Sequence, residues 1–418
     1  MKAEILTLVE RHIITRSHPD FQECYALCQL SRNLYNATLY VQRQSFFKGA
    51  FQNYYDVNRQ FTHQNQVDYR ALPAKVAKQT QLMVQQAFNS FFALSKAKQE
   101  GTYEQPVKLP RYLKVGRGYP LLYEKGALSF KEPGFIKLSK TTLRIPTKLT
   151  KEQVSNVRLT PRGNHVAIEV LYRVSTPDLG QPEFQRVAFV DPGMNHLMTV
   201  TSNVFHPLLY NGRVAKAINQ GYNKERARLQ SQLPVVKVNG LKTQAKTSRK
   251  IQNLTMRRNF RIHDLFHKIT THLVNHLVEH KVDTLLFGHN LGQKQDIKLG
   301  RRTNQQFVNL PFTKLVQMLT YKCQRAGIHF IVTEESYTSK CSFLDRESVE
   351  HHETYLGRRV SRGLFKTGQD KCLNADVNGS LNIGRKYLTG IGAYSDTLHT
   401  ELVQKMSNPR KINVAYQM

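Results

Sequence analysis

The run VAFVDPGMNHLMTVTSN, residues 187–203, decides the fold. Val187, Ala188, Phe189 and Val190 are four consecutive apolar residues, which fits a buried strand. Gly193 then allows a sharp turn into a second strand. Asp191 therefore stands at the mouth of a buried strand. With 30 acidic residues against 61 Lys and Arg, a carboxylate in such a place needs a reason. One is an Asx turn, since Asp-x-Gly alone is a common turn element. The other is metal ligation: carboxylates on rigid elements can hold two Mg²⁺ about 4 Å apart and stabilise the attacking and leaving oxygens of a phosphoryl displacement. A second carboxylate, Asp376, follows Asn374 in NADVNGSLNIGRK, which reads as an Asn-capped helix. There a first-turn acid also suits the helix dipole.

The rest of the chain sets the context. It has 418 residues, 40% of them hydrophobic, and a formal charge of +31. It is long enough for more than one core, and its charge points to a polyanionic partner. No run approaches 18 uncharged apolar residues, and the start, MKAEILTLVERH, is not a signal sequence, so no membrane association is expected. Five cysteines, Cys24, Cys28, Cys323, Cys341 and Cys372, have no framework spacing. That suits a reducing compartment, and the expected location is the cytoplasm.

Residues 1–16 read as a strand, followed by a helix from about Pro19 to Gln44 with Leu27, Leu30, Leu34, Ala37 and Val41 as its apolar stripe. A second helix is expected over 74–98, with Val76, Met83, Ala87, Phe91 and Leu94 on one face. Cys24 and Cys28 are expected to pack in this bundle rather than bind metal. From 104 to 180 short strands alternate with Pro and Gly. Tyr112, Tyr119 and Tyr123 are interleaved there with Arg111, Lys114, Arg117 and Lys125, a mixture that can stack bases and neutralise phosphates, or can simply be a basic β surface. Between Val236 and His272 nine Lys or Arg face one acid, Asp264; a charge run is usually only a solvated face, but one so nearly single-signed is a candidate phosphate-tracking helix. A helix over HDLFHKITTHLVNHLVEH, the strand VDTLLFG, a helix near 311–326 and the strand IHFIV follow. Beyond Lys386 no firm pattern is seen.

Seven motifs follow in order along the chain: VDPGMNHL, NGRVAKAINQGYNKERARLQSQL, RRNFRIHDLFHKIT, FGHNLGQKQ, EESYTSKCSFLD, GRRVSRGLFK and NADVNGSLNI. This set resembles the TnpB family of transposon-encoded, RNA-guided DNA nucleases, ancestral to type V CRISPR effectors, and SRNLYNATLY and LPAKVAKQT resemble that family's amino-terminal region. The resemblance implies a multidomain α/β protein. A wedge β-barrel (1–16 and 104–183) carries an inserted helical recognition bundle (17–103). An RNase H-like, RuvC-type nuclease domain (184–336 and 372–390) holds an insertion (337–371), and a tail at 391–418 is expected to be without order. It also implies Mg²⁺ in a two-metal site, a guide RNA derived from the transposon, and a double-stranded DNA target beside a short adjacent motif. The protein would be a monomer with its RNA. The expected nucleic-acid contacts are Arg32, Tyr35, Arg111, Tyr112, Arg257, Arg258, Arg261, Arg358, Arg359 and Arg362.

Asp191 and Asp376 match the family's first and last catalytic acids, but the middle one departs. Gly288 stands where the family usually has Glu, whereas IHFIV runs into Glu334 and Glu335. In an RNase H-like sheet the strand ending at Gly288 separates the other two. Glu335 can lean across one strand spacing of about 4.8 Å because glycine has no side chain in the way. Pleat counting puts Glu334 with Ile328, Phe330 and Val332 and Glu335 on the other face, without saying which face meets the metals. Glu335, nearest the TSK turn, is taken as the third ligand. The second departure is the zinc ribbon, reduced here to Cys341 and Cys372 with His351 and His352; it is expected to hold no zinc, with Phe343, Tyr355 and Leu356 packing the segment. The expected activity is RNA-guided, Mg²⁺-dependent cleavage of DNA next to the adjacent motif. The rivals are a nuclease-dead RNA-guided repressor and an RNA-binding accessory of transposition.

Overall fold

A computed structural model describes residues 4–238, 241–289 and 310–414. The chain divides into two compact units, Ile5–Ser175 and Thr176–Met418.

In the first unit β1 (Glu4–Thr15) leads into α1 (Phe21–Phe47), α2 (Tyr54–His63), α3 (Val67–Arg70) and α4 (Ala74–Gln99). β2 (Leu121–Glu124), β3 (Leu128–Ser129), β4 (Phe135–Leu138), β5 (Arg144–Pro146), β6 (Val154–Pro161) and β7 (His165–Thr176) follow. The strands form a sheet of order β1-β7-β6-β2 and a smaller one of order β3-β4-β5. Both long helices lie where the sequence puts them, but each is rotated from its expected face. On α1 the buried line runs through Cys24, Leu27, Cys28, Ser31, Leu34, Tyr35 and Thr38, while Leu30, Ala37 and Val41 are only partly covered. On α4 it runs through Val76, Ala77, Thr80, Gln81, Val84 and Phe88, so Met83 and Ala87 are half-buried and Leu94 is exposed. Buried Ser, Thr and Gln, invisible to an apolar count, widen the inner face. Cys24 and Cys28 are core residues.

The second unit opens with β8 (Val187–Pro192), β9 (His196–Ser202) and β10 (Leu208–Asn211), then α5 (Arg213–Ser231), the hairpin β11 (Val235–Val238) and β12 (Leu241–Gln244), and α6 (Arg249–Glu279). β13 (Thr284–Gly288), α7 (Phe312–Ala326) and β14 (His329–Thr333) complete its first half. After them come β15 (Arg358–Ser361), β16 (Leu364–Lys366), β17 (Cys372–Asn374), α8 (Ala375–Gly390), α9 (Asp396–Lys405) and β18 (Arg410–Ile412). The main sheet has the order β14-β13-β8-β9-β10-β18. β8, β9 and β10 are antiparallel, and β13 and β14 add parallel to β8. β13, which ends at Gly288, lies between β8 and β14, as anticipated for these three strands.

The pleat sorts this sheet's two faces. Ala188, Val190, Leu285 and Phe287 pack with residues of α6 and α7, and Val187, Phe189 and Leu286 pack with Val377, Leu381 and Leu388 of α8 and Leu398 and Leu402 of α9. The tail expected to be without order is a correction. After α8, the helix α9 is capped by Ser395 and buries Leu398, His399 and Leu402, and β18 pairs in parallel with β10. Ten residues with three buried positions are too short a signal to separate from a loop by periodicity. The continuation of FGH into NLGQKQ lies outside the described residues, as do the side chains of Lys237 and Lys242. No helix among the described residues is long and apolar enough to cross a membrane.

Candidate active site

Asp191 and Asp376 come together because β8 and α8 share one side of the sheet. Val187, Phe189 and Asp191 alternate onto that side, and Asp376 sits in the first turn of α8. The Asn374 side chain caps that turn, accepting from the Asp376 amide at 2.9 Å and the Val377 amide at 3.1 Å. Ser380 donates to the Phe189 carbonyl at 2.9 Å and lies 2.8 Å from the Thr201 hydroxyl, which ties α8 to β8 and β9. Gly379 lets the helix approach: a Cβ there would stand 2.9 Å from Asp191 Oδ2.

Glu335 reaches the same side. Ile331 packs with the α8 cluster and Phe330 with the opposite one, so the parity of β14 carries Glu335, not Glu334, toward Asp191. Gly288 pairs with Thr333 across β13 and β14. A Cβ on Gly288 would lie 3.0 Å from Glu335 Oε2 and 2.5 Å from Ile383 Cδ1. The glycine therefore leaves the room that the Glu335 carboxylate takes. Glu334 is exposed; it accepts from Lys386 Nζ at 3.0 Å and from the Ser336 hydroxyl.

The electrostatics of the acids differ. Burial, and then the charges of Glu335 and Asp376, push the Asp191 carboxyl well above its ordinary range, with Arg359 opposing them. Asp376 is held below its ordinary range, chiefly by its hydrogen bond from His196 and further by Arg359, against the cost of burial. His196 Nδ1 donates to Asp376 Oδ2 at 2.8 Å and Arg359 Nη2 to Oδ1 at 3.2 Å. The two aspartates open onto a cleft of about 830 Å³ shared with His196, Arg213, Arg359, Arg362 and Lys411. The three acids do not close to a single-ion ligand set; among the described residues that closeness is found at His276, Glu279 and His280. Sequence reading missed His196, whose only signal was its place on the strand returning from Asp191. It also missed that Arg359 stands on a catalytic candidate.

The expected nucleic-acid contacts divide. Arg257, Arg261, Arg358 and Arg362 are exposed. Arg258 is half-buried, with Nε donating to Asn219 Oδ1 at 2.7 Å and its guanidinium 5.7 Å from the centre of the Tyr222 ring, so it braces α6 against α5. Tyr35 is corrected: it is 6% exposed, packs at 4.6 Å on Tyr119, and burial pushes its phenol up to about 12, which removes it as a stacking surface. Tyr123 is fully buried. Tyr112 is exposed and stacks with Arg43 at 5.2 Å, beside exposed Arg111. Arg32 is half-buried on Asn33.

The insertion is organised by carboxylates. Glu347, 6% exposed, accepts from the Ser342 amide at 2.6 Å and the Leu356 amide at 2.8 Å. Asp345 accepts from the Gly368 amide at 2.6 Å. Asn378 and Asn382 of α8 donate to the Cys341 carbonyl at 2.8 and 2.7 Å. Phe343 is buried as expected; Leu356, expected to pack, is 58% exposed.

Residues 169–293 match a family described as probable transposase, OrfB_IS605, and residues 312–383 match the Cas12f1-like TNB domain. A TnpB-like protein, ORF457 of Acidianus two-tailed virus, is 22% identical over 86% of this chain and 82% of its own. Among solved structures, the chain is similar to Cas12f1 in a complex with sgRNA and target DNA (14% identity, 91% of this chain and 100% of that one, TM-score 0.36). It is also similar to CasPhi-2 bound to crRNA (9% identity, 92% and 98%, TM-score 0.44). The two family matches and the viral relative point the same way, to a likeness with TnpB-like proteins and with the Cas12f1-like domain.

Proposed function

We propose that this protein is an RNA-guided, Mg²⁺-dependent DNA endonuclease of RuvC type, cutting DNA beside a short adjacent motif. The observation that carries the reading is the placement of Glu335 over Gly288, on the side of the sheet that Asp191 and Asp376 share. Three oxygen donors of this kind, too widely spaced to close on one ion, suit a pair of hard divalent cations, and Gly288 and Gly379 keep side-chain carbon out of the space they need. Asp191, Glu335 and Asp376 would hold Mg²⁺, which when bound supplies charge stabilisation to the attacking and leaving oxygens. His196 fixes the orientation of the Asp376 carboxylate, and Arg359, Arg362, Arg213 and Lys411 give the cleft the positive charge that a phosphate backbone requires.

The partners in this reading are a transposon-derived guide RNA and double-stranded target DNA, bound by one protein molecule. The similar Cas12 proteins were seen in complexes with guide RNA, and Cas12f1 also with target DNA. Residues 1–16 and 104–183 serve as the wedge, 17–103 as the recognition bundle, and 337–371 as a target-strand insertion. Arg257 and Arg261 on α6 and Tyr112 with Arg111 are the contacts whose exposure supports a role in binding. A nuclease-dead binder would share all of these and lack the third acid.

The test compares Glu335→Ala with Glu334→Ala in guided cleavage and in DNA binding. Glu335→Ala is expected to abolish cleavage and keep binding, and Glu334→Ala to keep both. Full cleavage by Glu335→Ala would sink the assignment. A wild-type complex that binds target with RNA and Mg²⁺ yet never cuts it would fit the dead binder instead.

A further inference from the structure

The last turn of α6 carries a second group of metal-ligating side chains, away from the acidic cleft. His276, Glu279 and His280 each present a ligand atom within 4.8 Å of the other two. Residues three and four apart on a helix lie on one face, and here the His276 and His280 rings stand 4.1 Å apart. His276 Nδ1 is 3.8 Å from Glu279 Oε2, too long for a hydrogen bond. It is near the separation of about 3.3 Å between two ligands of one tetrahedral ion with bonds of about 2.0–2.1 Å.

Two further observations point to a ligand. Neither ring nitrogen of His276 is held by a hydrogen bond, since Nδ1 stops 3.8 Å from Glu279 and Nε2 is buried without a partner, so the fold does not commit the Nδ1 lone pair that faces Glu279. His280 Nδ1 lies 2.9 Å from the His276 carbonyl, to which it can only donate. That bond places the His280 proton on Nδ1 and leaves Nε2 as a lone-pair donor, the arrangement by which metal-binding histidines are held in the right tautomer. The surroundings suit the purpose. Phe205 covers both rings, at 4.7 and 5.3 Å. The helix end favours positive charge. Arg186 is committed to the His280 carbonyl at 2.8 and 3.0 Å, and Arg410 is a further cation whose charge acts on His276.

We propose that His276, Glu279 and His280 form a binding site for a borderline divalent cation of the Zn²⁺, Co²⁺ or Ni²⁺ class, with solvent completing the coordination. Two imidazoles and one carboxylate match that class and not Mg²⁺, which takes oxygen ligands. The site would clamp the end of α6 just before β13, the strand that carries Gly288. Because a ligand that binds only the folded state stabilises it, loading should raise the melting temperature.

The experiment uses the full chain, stripped with chelator and titrated with ZnCl₂ by calorimetry and with CoCl₂ by visible absorption. Wild-type protein is expected to take up Zn²⁺ in preference to Mg²⁺ and to give a Co²⁺ spectrum without thiolate charge-transfer bands. Glu279→Ala and His280→Gln, both at the helix end, should weaken Zn²⁺ binding by about 10-fold or more, at least the scale seen when an outer-shell partner is lost. The melting curve in chelator reports whether each variant still folds. The proposal is overturned if Zn²⁺ does not bind, if both variants bind it as wild type does, or if binding disappears only in Cys341→Ser or His352→Ala, which would place the ion in the 337–371 segment.

Discussion

The cleft and the 337–371 segment use the same scarce residue type in opposite ways. In the segment, Glu347 and Asp345 are turned onto backbone amides, so each acid closes a loop and its charge is answered by hydrogen bonds. In the cleft, Asp191 faces two other carboxylates, and burial and their charges both work against its ionised form. In a chain with 61 basic residues, such repulsion could have been relieved by a lysine. In the proposed function that repulsion is what a bound divalent cation would answer. The segment shows what an acid looks like when it is there for the fold.

That contrast makes opposed predictions. Asp191→Asn should abolish guided cleavage while raising the melting temperature of chelator-treated protein, because it removes a charge that is both desolvated and repelled. Glu347→Ala should do the reverse to stability. Leaving the buried Ser342 amide without its acceptor, while the more exposed Leu356 amide can turn to water, costs about 1–3 kcal/mol, roughly 3–10 °C at this domain size. Paired melting curves and cleavage assays check both. If the two variants lose stability equally, the distinction between the regions is broken.

Gly288→Ala sharpens the comparison inside the cleft. β13 is an ordinary strand at this position, so the backbone accepts alanine. The new carbon meets the tip of Ile383, which can shift, and Glu335 Oε2 at 3.0 Å. The expected result is a stability loss of about 1–2 kcal/mol from overpacking, with cleavage reduced more than target binding. Unchanged cleavage would mean that Glu335 acts from another position.

The parts of this arrangement legible in the sequence were those set by local chemistry. The strand before Asp191 shows as an apolar run, and the cap of α8 shows as Asn374 two residues before Asp376. Choosing Glu335 over Glu334 needed one more fact, the face that Ile331 takes, which only tertiary packing supplies. The faces of α1 and α4 were misread because Ser31, Thr38, Thr80 and Gln81 are buried and polar. α2 was missed because it buries only Val57 and Phe61, and β18 because three residues become a strand only beside β10. Arg359 reads as one of several arginines in GRRVSRG until β15 is folded against α8 and its guanidinium meets Asp376.

The smallest expected effect is a pH dependence that separates the two aspartates of the cleft. Asp191 has a raised carboxyl pKa in the folded protein, so between the ordinary carboxylate value and that raised value the folded state binds more protons than the unfolded chain. Stability attributable to it is therefore lost as pH rises through that window. Asp376 is shifted the other way by His196 and Arg359. Its contribution is present above the ordinary value and is lost as pH falls toward its lowered one. In chelator, the stability gained by Asp191→Asn should therefore be small near pH 4 and grow toward neutrality. The stability lost by Asp376→Asn should be full at neutrality and shrink in acid. Melting temperatures of the three proteins across a pH series read this directly, and adding millimolar Mg²⁺ should narrow the Asp191→Asn gap by supplying the charge the site lacks. Curves that stay parallel across the series would mean that the two carboxylates share one environment.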